Sequence, residues 1–139
     1  MSIQAVLLPL FVLVLLTFVL GFWAAYLRVQ AVRSGEVRPR DVALREPNWP
    51  PRVLKVLHAF LNQLELPLLF YVLTILAWIT KQADLLFVVM AWVFVALRIL
   101  HAVVHVTSNN LGQRAILFIV GAAVLALMWA IFILRILFA

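Results

Sequence analysis

Four long apolar runs, separated by short polar breaks, set the pattern of the chain: Ile3 to Leu27, Val53 to Thr80, Leu85 to Thr107 and Ala115 to Leu137. A helix needs about 20 apolar residues to cross the hydrocarbon of a bilayer, so each run predicts a membrane span. The expected fold class is an all-α membrane protein, a bundle of four transmembrane helices near 3–27, 53–80, 85–107 and 114–137. These form a single domain over 1–139, with one sizeable loop at 28–52. Pro9 lies near the start of the first span, and Trp23 and Tyr26 mark its exit as an interfacial belt. Pro67 predicts a kink within the second span, because it removes a backbone donor and crowds the carbonyl of Gln63 four residues before it. Ala122, Ala126 and Ala130, spaced by four on the last span, predict a stripe where a neighbouring helix can approach closely.

Two spans break the apolar pattern with three polar side chains each. The second carries His58, Asn62 and Glu65, and the third carries Arg98, His101 and His105. At 100° per residue each trio falls within an arc of about 60°, which gives each helix one polar stripe. The two helices run antiparallel around a turn at Lys81 to Asp84. Residues at equal depth then have position numbers of constant sum, and all three pairs share one sum. Glu65 is therefore expected to face Arg98, Asn62 to face His101, and His58 to face His105. An ionised side chain at mid-bilayer costs about 2.5 to 3.5 kcal/mol on insertion scales, so acid and base at one depth should meet.

Composition narrows the function classes. The chain is 68% hydrophobic and 12% charged, with a net charge of +6 and no cysteine. Disulfides and thiolate ligands are excluded, so any thiol chemistry must come from a ligand. Of the eleven basic residues, seven lie between Arg28 and Lys55. They flank a membrane span without aromatic interleaving or a nucleic-acid motif, which argues against a nucleic-acid partner and for membrane lipid. By the positive-inside rule this loop is cytoplasmic, and both termini and the Lys81 turn are non-cytoplasmic. The first span follows no basic leader and is too long for a signal peptide, so it reads as a retained span.

The polar stripes admit several chemistries. They can fix register between two helices, or line a pocket open to the cytosol near Arg114. A proton or ion path is disfavoured, since little beyond Thr74 is polar in the other half of these spans. His101 and His105 have the i, i+4 spacing of a metal pair, with Glu65 as a third ligand, but no metalloprotease motif accompanies them, and no metal is assigned.

The Asn62, Gln63, Leu64, Glu65 segment in the second span resembles the Asn-x-x-Glu motif of the MAPEG family, the membrane-associated proteins in eicosanoid and glutathione metabolism. Arg98, Ile99, Leu100 and His101, with His105 and Arg114 following, are similar to the third-helix pattern of microsomal prostaglandin E synthase. The resemblance covers the whole chain. It implies a homotrimer that holds glutathione between subunits near the cytoplasmic side, with His58, Asn62, Glu65, Arg98, His101 and His105 as binding residues and Arg114 as the catalytic residue stabilising the thiolate. The implied activity is glutathione-dependent transfer to, or peroxide reduction in, a lipophilic small molecule. His58 stands where glutathione-using members carry arginine, Leu66 where tyrosine follows the glutamate, and His105 where eicosanoid enzymes carry tyrosine. The run from Asn62 to Tyr71 most resembles bacterial members of undefined activity, which implies a bacterial inner membrane. The alternative is a non-catalytic protein of the same fold that binds a lipid or a protein partner.

Overall fold

The computed structural model describes residues 1–139. Five α-helices form four spans: α1 Ile3–Arg33, α2 Pro51–Asn62 with α3 Leu66–Ile79, α4 Leu85–Val106, and α5 Leu111–Leu137. All four spans are long and apolar enough to cross a bilayer. With no strand and four such spans, the chain is an integral membrane helical bundle.

α1 starts where the Ser2 hydroxyl accepts the Ala5 N–H at 3.2 Å. Its 31 residues rise about 46 Å, more than one bilayer thickness. The helix therefore runs beyond its apolar stretch to Arg33, and the expected loop from residue 28 begins only after it. Nothing between Arg28 and Arg33 breaks a helix. The stop comes at Gly35, whose φ of +80° closes a Schellman turn in which the Glu36 N–H reaches the Ala31 carbonyl at 3.1 Å.

The loop that follows is folded against α1 and α2. Ala31, Val37, Trp49 and Val53 bury together, and Glu36 takes two hydrogen bonds from Arg52 at 2.7 and 2.8 Å. Those bonds hold the Glu36 carboxyl below its ordinary value. Arg38 pairs with Asp41 at 3.1 Å, and the Asn48 amide donates to the Asp41 carbonyl at 2.7 Å. The loop is thus a cap on one end of the bundle.

The second span is broken rather than kinked. The last bonds of α2 tighten to the i→i+3 pattern: Gln63 to Phe60, Leu64 to Leu61 and Glu65 to Asn62. Glu65 then leaves helical geometry, with φ −104° and ψ −105°. Pro67 at the second position of α3 cannot donate a hydrogen bond back across this gap, so the helix restarts instead of bending.

At the far end, Lys81 adopts φ +60° and Asp84 caps α4 by accepting the Phe87 N–H at 3.0 Å. Arg135 of α5 pairs with Asp84 at 2.9 Å and ties the last helix to this turn. α4 lies at the centre and packs against α1, α2 and α5. The Phe70 and Phe94 rings stack at 5.1 Å in the core. α5 buries Gly121, Leu125 and Met128, whereas Ala126 and Ala130 are exposed. The alanine stripe therefore does not pack within the chain, because α5 turns its Gly121 face to α4 instead.

Candidate functional site

The polar residues collect near the capped end of the bundle, where α2, α4 and α5 approach one another. α4 supplies three deeply buried ones: Arg98 is 2% exposed, His101 3% and His105 2%. Each lies on the face that α4 turns to the core, together with Phe94 and Ala102. That burial follows from the helical spacing read in the sequence.

The partners differ from those of a continuous ladder. The Asn62 side-chain amide donates to His105 Nδ1 at 3.3 Å, not to His101. The Arg98 guanidinium donates through Nη2 to the backbone carbonyl of Asn62 at 3.0 Å. His58 does meet His105, with ring centroids 6.4 Å apart, and His101 meets His105 edge-on at 5.8 Å.

Glu65 is the departure. Its side chain is exposed, and it shares in none of the ion pairs of the chain. The expected Glu65 to Arg98 pair is therefore corrected. Constant-sum pairing assumes one unbroken helix through residue 65, and α2 ends at Asn62. Past that break Glu65 loses the phase of the stripe, and Arg98 donates to the Asn62 carbonyl, which keeps only a long 3.4 Å bond from the Glu65 N–H.

Arg114 stands in the first turn of α5. That helix starts earlier than its apolar run because Asn110 caps it, accepting the Gln113 N–H at 3.0 Å. Asn109, at φ +52°, accepts a hydrogen bond from Arg114 Nη1 and so orients the guanidinium. Asn62, His101 and Arg114 share an open groove with Leu111 and Phe118. His58 lies elsewhere, in a second groove beside the loop.

Three buried nitrogens of this region, Arg98 Nε, His101 Nδ1 and Arg114 Nε, make no hydrogen bond, and neither does Gln63 Oε1. Unpaired buried polar atoms are costly, about 1 to 3 kcal/mol each.

Sequence reasoning missed two participants. Gln63 is 1% exposed and donates to the Ala59 carbonyl at 3.1 Å; its adjacency to Asn62 was the available signal. Asn109 orients Arg114, and its spacing of five before that residue across a helix start gives no periodic cue.

A model of the MAPEG family matches residues 6–134. Searches of the curated proteins and of the solved structures find no match to the chain.

Proposed function

This chain belongs to the MAPEG family, and on that premise we propose that it is a glutathione-dependent transferase or peroxidase that acts on lipophilic electrophiles at the cytoplasmic side of the bilayer, as a homotrimer. The observation that carries this reading is that Asn62, His101 and Arg114 line one open groove, with the Arg114 guanidinium and the Asn62 amide as donors. A peptide with two carboxylates supplies acceptors for such donors, so the residues fit glutathione. When bound, glutathione supplies the thiol that serves as nucleophile.

The chain's own residues divide the remaining work. Arg114, held by Asn109 at the N-terminal turn of α5, adds a fixed cation to the positive end of the helix. Both favour an anion and lower the pKa of a nearby thiol. Asn62 orients the His105 ring through the contact between its amide and Nδ1. Arg98 anchors the end of α2 through the Asn62 carbonyl, which positions the amide that contacts the peptide. Glu65, an exposed carboxylate in the middle of a membrane span, is placed to accept from the peptide's ammonium group. Lipid is a poor neighbour for it, which supports a second subunit completing the site. The exposed Ala126 and Ala130 offer a surface on which helices of neighbouring subunits approach closely.

Titrating the detergent-solubilised protein with glutathione while following ultraviolet thiolate absorbance tests the proposal. A saturable band that disappears in Arg114→Met is expected, and no band at millimolar glutathione refutes it. The intact mass of the complex checks the trimer. A second reading, a non-catalytic family member that binds a lipid or a protein, draws on one observation: His58, which replaces the arginine of glutathione-using members, lines the loop-side groove and not the one that holds Arg114.

A further inference from the structure

Arg114 reaches its groove from the first turn of α5, so the place of its guanidinium depends on how the turn between α4 and α5 is fixed. Thr107 is the C-cap of α4 and Asn110 the N-cap of α5. Local bonds give the turn its shape. The Thr107 N–H donates to the Val103 carbonyl at 3.1 Å, and the Asn109 N–H to the Val104 carbonyl at 2.7 Å. Asn109 is thereby held at φ +52°, with its side-chain oxygen on Arg114. None of these bonds ties the turn to anything outside α4 and α5.

One hydrogen bond reaches it from another span: the Lys55 ammonium of α2 donates to the Thr107 carbonyl at 3.1 Å. A helix leaves its last carbonyls without donors of its own, and that end carries the negative pole of the helix dipole. A half-buried lysine answers both needs. No carboxylate competes for it, since the ion pairs of the chain use Arg38, Arg52 and Arg135. Lys55 stands two helical turns before Asn62, on the same face of α2. α2 therefore holds α4 at two levels, at His105 through Asn62 and at the helix end through Lys55. The first bond orients a ring; the second holds the turn from which α5 departs.

We propose that Lys55 is a positioning residue for Arg114: by holding the Thr107 carbonyl it fixes Asn109, and through Asn109 it fixes the guanidinium in the groove. Lys55 itself touches neither the thiol nor the peptide. Its effect on a bound thiol rests on the role proposed above for Arg114, whereas its effect on the guanidinium stands without it. All of these contacts lie within one protomer, so a neighbouring subunit leaves them in place.

Arginine side-chain NMR provides a readout that needs no ligand. The full-length protein is prepared in detergent micelles with isotope-labelled arginine, and the exchange of each Nε–H with water is measured. Loss of a signal in Arg114→Lys and in Arg98→Lys identifies the two resonances, whose nitrogens are both shielded from solvent. Lys55→Met is expected to speed exchange at Arg114 by about 2- to 10-fold, the range of one hydrogen bond, and to leave Arg98 unchanged. Lys55→Arg, which keeps a cation and its donors, is expected to restore the protection. Asn109→Ala should reproduce the faster exchange, and adding Lys55→Met to it should change nothing more, because both act by one route. Unchanged exchange at Arg114 in Lys55→Met overturns the proposal. Equal acceleration at Arg98 and Arg114 also overturns it, since Lys55 would then merely hold α2 in the bundle. In the glutathione-loaded protein, the pH midpoint of the thiolate band is expected to rise by about half a pH unit in Lys55→Met. A band whose midpoint stays in place, or one that shifts equally in the Asn109→Ala background, rejects positioning through the turn. Absence of the band from the wild type refutes the glutathione reading instead, and the exchange rates then decide the role of Lys55 alone.

Discussion

Replacing Asn62 with alanine and His105 with leucine, singly and together, measures the contact that sets the register of α2 on α4. The Asn62 amide donates to His105 Nδ1 at 3.3 Å in a partly buried setting. A neutral side-chain bond of this kind contributes about 1 kcal/mol in water-soluble proteins, and bonds between membrane helices average about 0.6 kcal/mol with a maximum near 1.7. The distance is at the long end for such bonds, so a coupling energy of about 0.5 to 1 kcal/mol is expected from the double-mutant cycle. The same cycle for Asn62→Ala with His101→Leu should give coupling below about 0.3 kcal/mol, since those side chains share a groove but no bond. Unfolding of the protein in mixed micelles by titration with a denaturing detergent supplies the free energies. If the larger coupling belongs to Asn62 and His101, the two helices pair as an unbroken ladder and the break at Asn62 is not as described.

Other expectations concern separate parts of the molecule. Glu65→Gln should weaken glutathione binding about tenfold or more, as loss of a charge-assisted bond does, and leave unfolding within about 0.5 kcal/mol; a large loss of stability would mean that Glu65 has a counter-charge inside the protomer. At Gly21 an added Cβ would come within 2.9 Å of the Phe60 ring, so Gly21→Leu should destabilise by about 1 to 3 kcal/mol and Phe60→Ala should restore part of the loss in the same unfolding assay. Burial pushes the Asp84 carboxyl up, but the Phe87 N–H and Arg135 outweigh it and hold the group below the ordinary carboxylate range. Its contribution is therefore present above the unfolded value of about 4 and lost as pH falls through the lower folded value. Asp84→Asn keeps the cap and loses the exposed ion pair, worth about 0.5 kcal/mol. The stability gap between wild type and variant should close as pH falls below 4, and a constant gap would refute the linkage.

The spans were legible because lipid imposes one requirement on every residue of a crossing helix, and the runs from Ile3, Val53, Leu85 and Ala115 meet it without ambiguity. The burial of Arg98, His101 and His105 on one face was legible for a related reason, since α4 is regular and its period is preserved. Glu65 was not legible. Its facing depends on whether the helix survives Pro67, and the sequence announces a disturbance there without giving its size. Nor could the sequence show that Arg98 would bind a main-chain carbonyl of Asn62, because that acceptor exists only once the helix has ended. The folded loop was hidden as well: Glu36 and Arg52 are sixteen positions apart, and no local period connects them.

The division of the second span into α2 and α3 bears on how the chain enters a membrane. Twelve and fourteen helical residues rise only about 18 and 21 Å, so neither piece can traverse the hydrocarbon by itself, and the joint between them carries a carboxylate. A translocation channel releasing this segment sideways would meet open carbonyls and a charge at the deepest point. The short Lys81–Asp84 turn offers a remedy: α4 can leave the channel together with it as a hairpin, with Arg98 already supplying the hydrogen bond that the joint lacks. Biogenesis of this protein should then depend on α4 having been synthesised, and chains truncated before Arg98 should fail to integrate their second crossing.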